Sequence, residues 1–126
     1  ARFLSKTGGF YTQPKRLDVF ETIAFLKEIG CVSVLAHPFQ ELDEAGVRGF
    51  LEKAKPYGLH GMETEYAKYD DATVQKAKQI AKEFGIKESG GSDFHGERRK
   101  GTDIGFGQGN LRIPKEFLDK LREEIR

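Results

Sequence analysis

A unit of helix, glycine and strand recurs along this chain, and it constrains the fold more than any other feature. Three amphipathic segments end at Gly30, Gly58 and Gly85, and an extended segment follows each glycine. Glycine closes a helix at no steric cost because it adopts the left-handed conformation freely. Strands that alternate with single helices pair in parallel. The repeat therefore predicts an α/β fold built from parallel βα units.

Hydrophobic spacing locates the elements of this repeat. It predicts helices at 18–29, at 47–54, from residue 70 or 71 to 84, and from Pro114 onward. The predicted strands are 32–36, 61–66 and 86–88, and residues 1–16 form an irregular N-terminal segment. In the last helix, four apolar residues at helical spacing are expected to be buried: Phe117, Leu118, Leu121 and Ile125.

Composition limits the classes of protein and partner. The 126 residues include 21 Lys and Arg and 20 Asp and Glu, so the net charge of +1 neither requires nor excludes nucleic acid. The single cysteine, Cys31, opens an apolar run, so we expect a buried thiol in a reducing compartment. No apolar stretch reaches the ~20 residues that span a membrane, and the N-terminus lacks signal-peptide features. These features predict a cytoplasmic domain without membrane partners.

The segment GGSDFHG, residues 90–96, contains a candidate chelating pair. Asp93 and His95 are two positions apart, so in an extended segment both side chains point to the same side. The flanking glycines allow unusual backbone conformations and a close approach to an ion or a phosphate. The alternative for Asp93 alone is a loop residue that accepts backbone hydrogen bonds.

His37 is expected at the same edge of the sheet as this pair. It directly follows the strand 32–36, and the carboxyl ends of parallel strands share one edge, where βα folds place their functional groups. The joint arrangement of His37, Asp93 and His95 favours a metal site over a structural histidine. Glu63 and Glu65 lie in or just beyond the middle strand, so their side chains can also reach this edge. His60 precedes that strand and is predicted to be a surface residue far from the edge.

The segment GFGQGN, residues 105–110, lacks the strand that precedes a dinucleotide fingerprint, so it is interpreted as a turn, with a backbone anion site as the alternative.

Four segments together resemble the C-terminal half of the PHP (polymerase and histidinol phosphatase) superfamily of metal-dependent phosphoesterases. They are VLAHP at 34–38, GMETEY at 61–66, SGGSDFHG at 89–96 and GQGNLRIP at 107–114. The resemblance extends from about residue 10 to the end of the chain. It implies a partial, half-complete version of a distorted seven-stranded βα barrel, with His37, Asp93 and His95 as ligands of a cluster of two or three divalent ions. Residues 1–126 would then be the C-terminal part of one PHP-type domain.

The chain departs from the family pattern in two respects. It lacks the His-x-His element that contributes further ligands, since its three histidines are His37, His60 and His95. A βα barrel typically needs ~250 residues, so the chain is interpreted as a C-terminal fragment. Phe39 and Gln40 follow Ala-His-Pro where nucleotide-cleaving relatives often have Gly-Arg, and this leaves nucleotide specificity open.

The resemblance implies hydrolysis of phosphate esters through metal-activated water, with a nucleotide or another small phosphorylated metabolite as substrate. Mixed histidine and carboxylate ligands suit Mn²⁺, Fe²⁺ or Zn²⁺.

The implied phosphate substrate makes Ser92, Arg98 and Arg99 candidate substrate contacts. Ser92 and the neighbouring glycine amides can donate hydrogen bonds to a phosphate oxygen, and arginine binds phosphate through two N–H groups. The alternative for both arginines is a solvated loop. Glu63 is the candidate catalytic residue, orienting a water or a ligand histidine, and its alternative is an ion-paired strand residue.

One alternative function is an exonuclease that binds oligonucleotides through the basic residues 98–100, and another is a non-catalytic folding or oligomerisation module. The fragment alone is expected to be inactive, and its open sheet edges are expected to cause self-association.

Overall fold

The computed structural model describes residues 17–98 and 100–125. The α-helices are α1 (Val19–Glu28), α2 (Glu44–Tyr57), α3 (Asp71–Phe84) and α4 (Lys115–Arg122), and the strands are β1 (Val34–Leu35), β2 (Gly61–Tyr66) and β3 (Lys87–Gly91). Short 3₁₀ turns span Pro38–Gln40 and Gly96–Arg98. The strands form one sheet in the order β1-β2-β3, and both strand pairs are parallel. The predicted parallel α/β fold is confirmed, and the arrangement is consistent with part of a βα barrel.

The helix ends follow from local chemistry. The carboxylates of Asp18, Asp43 and Asp70 cap the first three helices by accepting backbone N–H groups of the first turn. Helices α2 and α3 end at Gly58 and Gly85, whose φ angles of 103° and 62° lie in the left-handed region. Helix α2 continues one residue past the predicted stop at Pro56, and Gly58 then caps it.

The hydrophobic core lies where α1, α2 and α3 meet the sheet. Its buried residues come from all of these elements: Ile23, Val47, Leu51, Ala54, Leu59, Met62, Ala77, Ile80, Ala81 and Ile86. Phe20 of α1 stacks on Phe50 of α2 at a centroid distance of 5.8 Å, which joins these two helices at the edge of the core. Helices α1, α2 and α3 therefore pack together against the sheet through this shared core.

Two burial predictions are wrong. In α4, Leu118 is 48% exposed and Ile125 is 58% exposed, while Phe117 and Leu121 are half-buried. The described sheet ends at β3, on which α4 packs, so the helix covers one strand with part of its apolar surface. Cys31 is exposed rather than buried because β1 begins only at Val34. No helix among the described residues has the length and apolar character needed to cross a bilayer.

Gly49 offers a test of how this helical scaffold is stabilised. It lies inside α2, and a Cβ added there would meet no atom within 4 Å apart from its chain neighbours and the backbone of its own helix. We expect Gly49→Ala to raise the free energy of unfolding by about 0.5–1 kcal/mol, because alanine loses less backbone entropy on folding. Urea unfolding followed by circular dichroism measures this change. An equal or lower stability would show that glycine is needed at this position.

Candidate functional site

Parallel strands bring the sequence motifs to one edge of the sheet. His37 lies two residues beyond β1, and Asp93 lies two residues beyond β3. Among the described non-glycine residues, His37 and Asp93 alone have positive φ angles, 29° and 55°. Such conformations cost ~1–3 kcal/mol each and concentrate at functional sites. Two of the three candidate metal ligands are therefore held in strained backbone at this edge.

Glu63 supports the turn that presents His37. The buried Glu63 carboxylate accepts the backbone N–H of His37 at 2.7 Å between Oε2 and N. Burial raises the pKa of Glu63, the His37 N–H acts in the opposite direction, and the negative charge of Asp93 adds to the rise. The predicted role of orienting a ligand histidine is consistent with this hydrogen bond, which acts on the backbone of His37.

A β-bulge places Glu63 and Tyr66 on the same face of the sheet. The register with β3 shifts between Glu63 and Glu65, so Thr64 is an extra residue in β2. In a regular strand, residues three apart face opposite sides. Here both side chains reach the site, since Glu63 contacts the turn after β1 and Tyr66 contacts Asp93. Bulges commonly redirect a side chain in this way beside functional sites.

Glu65, expected near the same edge, is turned toward the helical layer. Its carboxylate forms an ion pair with Lys78 of α3. His60 likewise has a structural role, because its Nδ1 accepts the backbone N–H of Ser33 at 3.1 Å and links the segments that precede β1 and β2. His60 is half-buried rather than a surface residue.

The first two glycines of GGSDFHG are needed for close approach, whereas Gly96 has a positive φ of 64° and no close neighbour. Gly90 and Gly91 are the last residues of β3, and neither has positive φ. A Cβ on Gly90 would lie 2.9 Å from the carbonyl oxygen of Glu65, and one on Gly91 would lie 2.6 Å from Oε1 of Glu63. Both glycines therefore let neighbouring groups pack directly against β3.

Asp93 and His95 meet, but not through the extended conformation that their spacing predicts. The left-handed backbone at Asp93 turns the chain, and Nδ1 of His95 lies 2.6 Å from the Asp93 backbone oxygen and 3.4 Å from Asp93 Oδ1. A proton on Nδ1, donated to that carbonyl, leaves the lone pair on Nε2. This is the tautomer with which a histidine binds a metal through Nε2.

Tyr66 connects the segments that follow β1 and β3. Nε2 of Gln40 donates a hydrogen bond to the Tyr66 hydroxyl, which in turn donates to Oδ2 of Asp93 at 3.2 Å. The Tyr66 ring lies 5.2 Å from the His37 imidazole between centroids. Tyr69 packs edge-on against Tyr66, and its hydroxyl accepts the backbone N–H of Phe39 at 2.9 Å. Burial raises the pKa of Tyr69 to about 12, so both phenols remain protonated at neutral pH.

These residues contain the donor types of a divalent metal site but not a complete ligand set. Two imidazoles and two carboxylates at one edge suit Mn²⁺, Fe²⁺ or Zn²⁺. Within 17–98 and 100–125, however, no three side chains of His, Cys, Asp or Glu are arranged to hold an ion. The donors instead form two neighbouring groups, Glu63 with the His37 turn and Asp93 with His95, and Tyr66 lies between them. An ion at this edge would require further donors or a small rearrangement.

Two of the three candidate substrate contacts, Ser92 and Arg98, follow β3 in the described part of the chain. Ser92 is half-buried between β3 and Asp93, and Arg98 is exposed in the turn Gly96–Arg98. Arg99 lies outside the described residues. GFGQGN forms turns as predicted, since Asp103 and Gly107 pair as an isolated bridge. Asn110 anchors this loop beside the end of β2 by donating to the Ala67 carbonyl oxygen at 2.9 Å.

Sequence reasoning missed Tyr66, Gln40 and Lys68 at this edge, together with Tyr69, which packs beside Tyr66 and accepts the Phe39 N–H. The Lys68 ammonium group lies 6.0 Å from the centroid of the Tyr66 ring, in the turn directly after β2. A signal was available, because Tyr66 ends the GMETEY strand and residues at the carboxyl ends of parallel strands face the functional edge. Its bonding partners are distant in sequence and carry no local pattern.

No protein-family model matches this chain, and no curated protein matches it. Among solved structures, the fold is similar to that of an amidohydrolase from Chromobacterium violaceum, determined with bound sulfate and no metal, at a TM-score of 0.70 and 19% identity. The match covers 98% of this chain and 43% of the amidohydrolase. A candidate metal-dependent phosphoesterase from Bifidobacterium adolescentis matches at a TM-score of 0.69 and 20% identity, over 96% of this chain and 41% of that protein. The chain thus has the fold of about two fifths of each structure.

Gly91 tests the support that Glu63 gives to the His37 turn. The Cβ introduced by Gly91→Ala would lie 2.6 Å from Oε1 of Glu63, so the carboxylate must move. We expect the hydrogen bond to the His37 N–H to break and unfolding to become easier by about 1–3 kcal/mol, because a partly buried donor loses its partner. Hydrogen exchange of the His37 amide should accelerate as well. Unchanged exchange at His37 would show that Glu63 accommodates the methyl group without leaving the turn.

Proposed function

We propose that this chain is the C-terminal part of a PHP-type, metal-dependent phosphoesterase domain whose complete form is a distorted seven-stranded βα barrel. The observation that carries the proposal is the convergence of the His37 turn, Glu63, Asp93 and His95 at the carboxyl edge of a parallel sheet, with both His37 and Asp93 in left-handed backbone. The similarity in fold to an amidohydrolase and to a candidate metal-dependent phosphoesterase supports a hydrolase of this kind.

In this proposal, His37, Asp93 and His95 bind divalent Mn, Fe or Zn ions, two or three in the complete protein. The described residues do not form a full ligand set, so the remaining ligands come from elsewhere in the protein. The bound ions would supply a hydroxide at neutral pH and neutralise charge on the phosphoryl group. Glu63 acts on the site by holding the His37 turn, because its carboxylate accepts the His37 N–H.

The proposed substrate is a phosphate ester of a nucleotide or another small phosphorylated metabolite. Ser92 donates to a phosphate oxygen, and Arg98 and Arg99 provide positive charge beyond His95. Lys68, beside Tyr66 at the same edge, adds a second source of positive charge that the sequence did not indicate. A cytoplasmic location and self-association through the outer edges of β1 and β3 belong to the same proposal.

A non-catalytic folding or oligomerisation module is the second candidate. The observation that favours it is the absence, in the described part of the chain, of three side chains that could hold an ion. A module would require neither the strained His37 and Asp93 backbone nor a buried Glu63. Those features impose a cost on folding that a metal site explains.

Hydrolysis assays on the protein that carries this chain test the proposal. We expect Mn²⁺-dependent release of phosphate from a small phosphomonoester such as p-nitrophenyl phosphate, with little dependence on salt between 50 and 200 mM. A nuclease would instead prefer a single-stranded oligonucleotide. Its affinity for that substrate would fall steeply between about 50 and 200 mM salt, because phosphate contacts release counterions. Absence of both activities together with absence of metal binding would favour the module.

A further inference from the structure

Tyr66 is the most completely buried aromatic side chain at the candidate site. It is 1% exposed and ends β2 at the carboxyl edge of the sheet. Its hydroxyl lies between Gln40, which follows β1, and Asp93, which follows β3. One side chain thus contacts the segments that follow both neighbouring strands.

The hydrogen bonds through this hydroxyl run in one direction. Gln40 has N–H donors, so its Nε2 donates to the Tyr66 oxygen. The hydroxyl proton is then directed at Oδ2 of Asp93. Asp93 Oδ1 lies on the His95 side, 3.4 Å from Nδ1. The two carboxylate oxygens therefore face different partners, and this fixes the plane of the Asp93 carboxylate.

The ring of Tyr66 packs against the imidazole of His37. The two rings lie 5.2 Å apart at an angle of 41°, so the phenol limits the rotation of the imidazole. The His37 backbone is already in left-handed conformation, with Glu63 holding its N–H. Tyr66 therefore contacts two candidate ligands that lie on different loops.

We propose that Tyr66 is a positioning residue that sets the orientation of Asp93 through its hydroxyl and of His37 through its ring. The proposal rests on the proposed metal-site function of these two residues. Tyr66 itself binds no ion and reacts with no substrate. Its hydroxyl orders the loop after β3, so that Asp93 and His95 adopt one arrangement before any ion binds.

The alternative is that Tyr66 is a buried core residue whose hydroxyl makes a hydrogen bond but does not order Asp93. Tyr69 provides a matched control for this alternative. It lies three residues further along, packs against Tyr66, and its hydroxyl accepts the Phe39 N–H without a bond to Asp93 in the structure. Tyr66→Phe and Tyr69→Phe each remove one hydroxyl and keep the ring, so both variants should fold.

NMR relaxation of the metal-free chain tests the proposal directly. In the wild type we expect backbone order parameters of about 0.85 at residues 92–95. Tyr66→Phe should lower them to about 0.6 or less, with a melting temperature within a few degrees of the wild type, whereas Tyr69→Phe should leave them unchanged. Equal order parameters at 92–95 in the wild type and Tyr66→Phe, or an equal loss in both variants, would overturn the proposal.

Paramagnetic broadening provides a readout that involves the ion. Mn²⁺ broadens the ring signals of histidines that it approaches, even when binding is weak. If the wild-type chain responds at His37 and His95, Tyr66→Phe should need about tenfold more Mn²⁺ for the same broadening, a loss typical of outer-shell partners of metal ligands, and Tyr69→Phe should not. Absence of any Mn²⁺ response would count against metal binding by the isolated chain, while the metal-free order parameters would still decide the role of Tyr66.

Discussion

Asp93→Ala is expected to abolish metal binding and phosphoesterase activity together in the protein that carries this chain, with a loss of more than about 100-fold in kcat/KM. Asp93 has a left-handed backbone, and its carboxylate receives the Tyr66 hydroxyl and approaches His95. Removing it takes away a proposed ligand, a negative charge that offsets the ions, and the contact that orders His95. Metal content by atomic emission and steady-state kinetics measure the two losses.

A control variant separates this effect from the loss of one negative charge anywhere in the protein. Asp119 lies on the exposed side of α4 and pairs with Lys115 at 3.3 Å, away from the site. Asp119→Ala should keep full activity. Asp93→Asn should remain folded, because asparagine tolerates left-handed backbone, yet lose the metal. Retention of metal by Asp93→Ala, or similar activity losses at both positions, would contradict the assignment of Asp93 as a ligand.

Leu51→Ala is expected to produce the largest loss of stability. Leu51 is fully buried in the core between the helices and the sheet. Truncating a buried leucine typically costs about 2–5 kcal/mol, from lost apolar burial and from the cavity that remains. For a domain of this size the melting temperature should fall by about 10 °C or more, since each kcal/mol shifts it by several degrees. Thermal unfolding followed by circular dichroism measures this change.

Leu118→Ala is the matched control for this substitution. Leu118 lies on α4 and is 48% exposed, so the same truncation should change stability by about 0.5 kcal/mol or less. A large loss at Leu118 would show that α4 buries this residue in solution, against another molecule or another part of the protein. A small loss at Leu51 would show that the packing between α2 and the sheet is loose.

The scaffold could be predicted from the sequence where its causes are local. The carboxylate caps at Asp18 and Asp70 and the glycines that end α2 and α3 determine helix ends within a few residues. The sequence KESGG carries no β-branched or aromatic residue, and it is a strand only because it pairs with β2. The prediction therefore placed the third strand too early and interpreted its glycines as a loop.

The sheet edge at which the candidate residues lie could be predicted, but their arrangement there could not. His37, Asp93 and His95 were placed at one edge because parallel strands share a carboxyl end. The bulge at Thr64 depends on pairing between strands, and no local pattern reveals it. The contacts of Tyr66 with Gln40 and Asp93 span 26 and 27 residues along the chain, so they arise only once the sheet has formed.

The central claim is that these residues form part of a metal site which other residues of a longer protein complete. Phosphatase assays with added Mn²⁺ on the purified 126-residue chain, beside the longer protein that contains it, test this claim most directly. We expect negligible turnover from the chain, which should bind one ion weakly or none, and metal-dependent turnover from the longer protein. Comparable turnover from both would show that the site is complete within this chain, and would contradict the claim.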